Sequence, residues 1–201
     1  MNQFLDEGYI KFVCNWINKP SPIPVPDSLL FWRDKMHQLG LIGYYPQHKV
    51  GYGNISIRTK QGILISGTQT GNSYPIKATD FTLVTAYDID KNNVTCKGQI
   101  KASSETMTHA AIYEADKSIN AVIHIHHLEL WRKLLHKVPT TNKNIPYGTP
   151  EMAKEIKRLV IHDSSLKTEK TIVMEGHVEG IIAFGKNLEE AGNNLLHWFV
   201  Q

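Results

Sequence analysis

At 201 residues the chain is long enough for one domain that buries most of its apolar surface, so a disulfide scaffold is unnecessary. Hydrophobic residues make up 41% and charged residues 20%, which excludes the disordered and fibrous classes. The net charge of +3 comes from 22 Lys and Arg scattered among 19 Asp and Glu rather than from a basic block, so nothing points to nucleic acid.

Cys14 and Cys96 lie outside any Cys-x-x-Cys spacing, and both are expected to remain free thiols in a reducing compartment. Asp6 and Glu7 interrupt the leading segment, which lacks a signal peptide's apolar core, and no long apolar run follows. The expectation is a cytoplasmic protein with no membrane partner.

In chain order, Phe4, Leu5, Tyr9, Phe12, Val13 and Trp16 suggest a short amphipathic helix. Pro20, Pro22, Pro24 and Pro26 then stiffen the stretch from Asn18 to Asp27 into a linker. Leu29, Trp32, Met36 and Leu39 fall on one helical face, and Gly40 stands where that helix ends. Short strands are predicted over Asn54 to Thr59, Gly62 to Ser66, Phe81 to Tyr87 and Ala121 to His126.

Between the last two, Ser103 or Ser104 caps a helix running to about Asp116, with Met107, Ala110, Ala111 and Ala115 inward. Thr149, Pro150 and Glu151 open a further helix whose apolar face is Met152, Ile156, Leu159 and Val160. Thr171 to Met174 and Gly180 to Phe184 read as paired strands. Asn187 and Glu190 then cap a last helix burying Leu188, Ala191, Leu195 and Phe199. This mixed order argues for a layered α/β domain.

His124 and His126 share one face of their strand, because strand side chains alternate. Such a pair either chelates one ion or fills two ordinary polar positions. His127 points to the other face, in a second-layer or structural place. His177 sits in a glycine-flanked turn and supplies the third imidazole an open site needs. Glu105 stands in a first helical turn, where the dipole alone favours it; beside Ser103, Ser104 and their anion pocket it is also placed to move protons. The loops around Gly51–Ser56 and Thr68–Asn72 are rich in glycine and small donors, and neither has the spacing of a nucleotide-binding motif.

Taken together, Gly53-Asn54-x-Ser56-x-Arg58, Ser103-Ser104-Glu105 with His109 and Tyr113, His124-x-His126, and His177 before Gly185 resemble the class II aldolase and adducin head-domain family. The resemblance runs from about Leu29 to Leu196. It implies a three-layer α/β/α fold with a central, mainly antiparallel sheet, as one domain over 1–201 in which 1–27 is an N-terminal extension and Pro-rich linker.

The resemblance further implies a divalent metal, zinc by preference, on His124, His126 and His177, with Glu105 as the catalytic acid/base. It assigns Asn54, Thr70, Gly71, Ser103 and Ser104 to the substrate anion. It implies a lyase acting on a hydroxylated carbonyl compound such as a sugar phosphate through a metal-stabilised enediolate, assembled as a homotetramer. Family dehydratases share the metal histidines and the glutamate, and adducin-like heads are non-catalytic interaction modules. Family epimerases carry aspartate where Glu105 stands.

Departures from the family pattern are Ala102 in place of a common proline, and Val178 and Glu179 between His177 and Gly180. Trp131-Arg132 and Tyr147–Met152 resemble a bacterial branch of the family. Tyr113 and Tyr147 are the candidate phenols for protonating a leaving aldehyde.

Overall fold

The computed structural model describes residues 9–200. An eight-stranded mixed sheet organises them. Its strands are β1 (Val13–Asn18), β4 (Asn54–Thr59), β5 (Gly62–Ser66), β6 (Phe81–Asp88), β7 (Asn93–Gly98), β8 (Ala121–His126), β9 (Thr171–Val173) and β10 (Gly180–Gly185). They lie side by side in the order β1-β7-β6-β5-β4-β8-β10-β9. The β1–β7 pair is parallel and the other neighbours are antiparallel. A separate antiparallel hairpin joins β2 (Gly43–Tyr45) to β3 (Val50–Tyr52).

Among the described residues, five α-helices accompany the strands: α1 (Asp27–Gln38), α2 (Thr106–Ala115), α3 (Leu128–Leu134), α4 (Pro150–His162) and α5 (Leu188–Val200). Alternate residues of the inner strands go to different apolar clusters, as a period of two requires. Ile63, Ile65, Val122, Ile172 and Ile182 pack with Met107 and Ala110 of α2 and with Met152 and Ile156 of α4. Leu64, Ile123, Ile125, Val173 and Ile181 pack with Leu29 and Met36 of α1 and with Ala191 and Leu195 of α5. Each fully buried Ile or Leu contributes about 1.5–3 kcal/mol. A slip of one residue in β8 would take Ala121, Ile123 and Ile125 out of their cluster and put His124 and His126 there, so the pairing register is fixed by the core.

Helix ends follow local chemistry. Gly40 takes φ +70 and donates its N–H to the His37 carbonyl at 2.9 Å, closing α1. The Thr149 hydroxyl accepts the Met152 N–H at 3.2 Å, with Pro150 in the first turn of α4. Asn187 Oδ1 accepts the Glu190 N–H, while Glu190 returns its bond to Lys186 N rather than to Asn187.

One expectation is corrected: Val13–Asn18, read as part of an amphipathic helix, is strand β1. Its alternation puts Cys14 and Trp16 against the core and leaves Val13 and Ile17 exposed, and the Trp16 indole N–H bonds the Gly98 carbonyl at 2.9 Å. Phe4 and Leu5 of that same reading lie outside the described residues. Cys14 and Cys96 are free, their sulfurs 3.9 Å apart, and burial together with the Cys96 neighbour pushes the Cys14 thiol up to about 11. Among the described residues, no helix is long and apolar enough to cross a membrane.

Candidate metal centre and anion cleft

Strand β8 runs between β4 and β10, and both flanks of its C-terminal end carry polar groups. Asn54 is the register partner of His124 on one side, and Gly180 is the partner of His126 on the other. His177 reaches the same place from the turn between β9 and β10, which is closed by His177 N–H to Met174 O at 3.1 Å and Gly180 N–H to His177 O at 2.8 Å. Ligand atoms of His124, His126 and His177 all lie within 4.8 Å of one another, and the three residues are buried.

The fit of a cation can be tested on the imidazoles themselves. His124 Nδ1 is 3.2 Å from the Ile181 carbonyl, which assigns the proton to Nδ1 and the lone pair to Nε2. His124 Nε2 and His126 Nε2 stand 3.2 Å apart. Two nitrogens bound to one tetrahedral zinc at the usual bond length are separated by about 3.3 Å, so the spacing suits a shared cation. Burial, with His126 and His177 adding to it, holds His124 well below the ordinary imidazole range, and a neutral ring is the ligand form. The triad fits a divalent metal.

On the β4 flank, Asn54, Thr70, Gly71, Ser103 and Ser104 line one small cleft together with Gly51, Gly53 and Thr68. Asn54 is buried, and its Oδ1 has no hydrogen-bond partner among the described residues. Glu105 follows Ser104 as the N-cap residue of α2 and is only 1% exposed. Its N–H bonds the Ser103 hydroxyl at 3.3 Å, and its carboxylate accepts the Thr108 hydroxyl at 2.7 Å. The cap expected at Ser103 or Ser104 falls instead at Glu105: Ser103 serves the Glu105 amide, and its carbonyl accepts the Thr106 hydroxyl.

The two candidate phenols part company. Tyr113 is buried with its hydroxyl 2.8 Å from Ser56 Oγ, which also lies 2.7 Å from His109 Nδ1. Burial pushes the Tyr113 phenol up and the His109 imidazole down to about 3. Tyr147 lies flat on His177, ring centroids 3.9 Å apart. His127 is structural, accepting the Leu130 N–H at the start of α3. A cavity of about 580 Å³ opens at the far end of β4 and β8, by Arg58 and Asn120 and away from the histidines.

Several site residues were not anticipated. Arg33, 1% exposed, donates to the Thr70 carbonyl at 2.5 Å and the Gly71 carbonyl at 3.3 Å. Because carbonyl and N–H of a trans peptide point oppositely, this turns the following amides away from α1. Leu29, Trp32, Arg33 and Met36 share one helical stripe, so the position of Arg33 was the available signal. Tyr45, Tyr52 and Glu179 surround His126, and no spacing rule joins three residues so distant in sequence.

An α/β fold in which an inner strand and a neighbouring turn bring together three imidazoles able to hold a divalent cation defines the broad class. The chain belongs to the class II aldolase and adducin N-terminal domain family, whose model matches residues 41–198. The L-fuculose phosphate aldolase of Methanococcus maripaludis is 32% identical over 154 residues, spanning 69% of this chain and 76% of that protein. The L-ribulose-5-phosphate 4-epimerase UlaF of Salmonella paratyphi B is 25% identical over 162 residues, 71% of this chain and 69% of its own length. Both relatives are class II aldolase-type enzymes. The crystal structure of L-fuculose-1-phosphate aldolase from Thermus thermophilus shares the fold, with TM-score 0.60 at 18% identity over 86% of this chain and 87% of that one.

Proposed function

We propose that the chain is a metal-dependent aldolase-type lyase that cleaves or forms a carbon–carbon bond in a hydroxylated carbonyl compound bearing an anionic group, a sugar phosphate. The observation that carries this reading is the pairing of Asn54 with His124, which sets a cleft of small donors beside three convergent imidazoles. His124, His126 and His177 hold the cation, for which zinc is the best match to three nitrogen ligands. When bound, the cation supplies Lewis-acid stabilisation of negative charge developing on substrate oxygens.

The chain's own groups do the rest. Asn54, Ser103, Ser104 and the Thr70–Gly71 turn hold the anionic end and so fix the reacting carbon. Fixing the reacting atoms lowers the entropic part of the barrier. Glu105 takes and returns the proton at that carbon. A buried carboxylate oriented by the Thr108 hydroxyl is suited to this.

The same reading takes 1–201 as a single domain with 1–27 as its extension, in three α/β/α layers, assembled as a cytoplasmic homotetramer. The two apolar clusters served by alternate strand residues support the layers.

The test is to supply the metal-loaded chain with L-fuculose 1-phosphate, L-ribulose 5-phosphate and related ketose phosphates, following products by mass spectrometry. Cleavage to an aldehyde, abolished by chelation, is expected. Loss of water without cleavage, or no turnover at a verified one cation per chain, overturns the reading.

A further inference from the structure

Val178 and Glu179 stand between His177 and Gly180 in the turn that delivers His177, and Glu179 does not point idly to solvent. Its backbone sits at φ +72, a left-handed conformation that is unfavourable for an L-residue and persists only when neighbours hold it. One such neighbour is evident: the Glu179 carbonyl accepts the His127 N–H at 3.0 Å, which ties this residue to the position following His126. Glu179 Oε2 then lies 4.0 Å from His126 Nδ1.

The Tyr45 hydroxyl bridges the gap. It donates to Glu179 Oε2, and it lies 3.3 Å from His126 Nδ1. A phenol has one proton. With that proton given to the carboxylate, the oxygen can only accept from the imidazole, so Nδ1 carries hydrogen and Nε2 carries the lone pair. That Nε2 is the atom facing His124 Nε2. Tyr45 is held in turn by the β2–β3 hairpin, its ring 4.4 Å from Tyr52, which stacks on His126 at 5.4 Å.

His124 and His126 therefore reach the same tautomer by different devices. The first uses a backbone carbonyl, Ile181 O. The second uses a phenol–carboxylate chain that spans the β2–β3 hairpin and the His177 turn. We infer that Glu179 and Tyr45 are positioning residues for the metal centre: together they fix the tautomer and ring orientation of His126 so that Nε2 is presented to the cation. This rests on the metal reading proposed above. Partners of this kind, one bond beyond the ligand, typically change metal affinity by about 10–100-fold when removed.

Two measurements on the full chain test it. In the metal-free protein, long-range ¹⁵N–¹H correlation should show His126 protonated on Nδ1, and Tyr45→Phe or Glu179→Ala should bring in the other tautomer. Competition of cobalt(II) against a chromophoric chelator should show each variant binding about 10–100-fold more weakly. The double variant should be no worse than the poorer single one, because the two act through one chain of bonds. Glu179→Gln, whose amide oxygen can still accept from Tyr45, should recover most of the affinity. The cobalt absorption bands should keep their shape throughout, since no inner ligand changes.

Wild-type affinity in Tyr45→Phe, which loses only a hydroxyl, overturns the inference, and so does an unaltered His126 tautomer in Glu179→Ala. Changed bands in the cobalt-bound Glu179→Gln variant also overturn it, by making Glu179 an inner ligand. Failure of the underlying metal reading is separable: His177→Ala would then bind cobalt as wild type does, while the tautomer result stood unaffected.

Discussion

On its β4 flank, strand β8 borders a cleft made of glycines, hydroxyls and backbone amides; on its β10 flank it borders a cluster of imidazoles packed under tyrosines. The cleft works through chain geometry, since Gly51, Gly53 and Gly71 allow backbones to approach where a side chain would not fit. The imidazole flank works through ring orientation, which depends on the partner of each second nitrogen. The first kind of site is broken by adding an atom. The second is broken by removing one.

The largest expected effect separates binding from proton transfer between the flanks. Glu105→Gln keeps shape and a hydrogen-bonding oxygen for Thr108 but cannot shuttle a proton. Turnover should fall roughly 10²–10⁴-fold with metal content and melting temperature nearly unchanged. If the residue merely favours the helix start, the variant would lose about 1 kcal/mol or less of stability and turn over normally. Single-turnover rates, metal analysis and melting on one preparation decide the matter.

A pair of glycine substitutions breaks the comparison more directly. A Cβ on Gly71 would sit 1.9 Å from the Gly43 carbonyl oxygen, so backbone must move. Gly71→Ala should cost about 1–3 kcal/mol in urea unfolding and weaken inhibition by inorganic phosphate, with metal affinity intact. On the other flank, a Cβ on Gly180 would lie 3.0 Å from the His177 ring. Gly180→Ala should be milder in stability and should lower metal affinity instead. Equal losses of phosphate and metal in both variants would mean that the flanks are not independent.

These flanks also differed in how far the sequence disclosed them. Asn54, Ser103, Ser104, His124 and His126 were readable because short motifs carry them: Asn54 beside a glycine at a strand start, the two serines before one helix, the two histidines two apart. Strand bounds for β4, β5 and β8 were recoverable because each is a short β-branched run between turn residues.

What stayed hidden is tertiary. β1 resembles a helix in apolar content, and its parallel partner β7 lies some eighty positions away, where Asn93–Gly98 has few apolar residues to mark a strand. Arg33 went unread, because its carbonyl acceptors at Thr70 and Gly71 lie in a loop some forty positions away. Tyr45 and Glu179 meet His126 only because a hairpin and a turn fold over the same ring. Val178 and Glu179 were visible in the sequence as a departure from the resemblance, but the contact of Glu179 with Tyr45 was not.

The effect that is smallest at neutral pH concerns protons, and it sharpens the contrast by locating acid sensitivity behind the cleft rather than in it. The cleft's donors are uncharged, but His109 lies beneath β4, fully buried against Ser56, with its Nε2 lacking a partner among the described residues. Burial depresses this imidazole to about 3 in the folded chain. Unfolded, it titrates near the usual value of about 6.5. Between those values the unfolded chain binds a proton that the native chain refuses, so the contribution of His109 to stability is constant above about pH 6.5 and declines as pH falls towards 3. The slope approaches about 1.4 kcal/mol per pH unit in the middle of that window. His109→Asn removes the titration while its side-chain amide can still bond the Ser56 hydroxyl. Urea unfolding of the metal-free protein at several values between about pH 7.5 and 4.5 should therefore show a shallower acid decline for the variant, the difference growing from nothing at the top of the range. Wild-type and variant curves that run parallel would show that His109 takes up its proton without unfolding, and the acid sensitivity would then belong to the imidazole flank, where His124 is held neutral by burial and by His126 and His177.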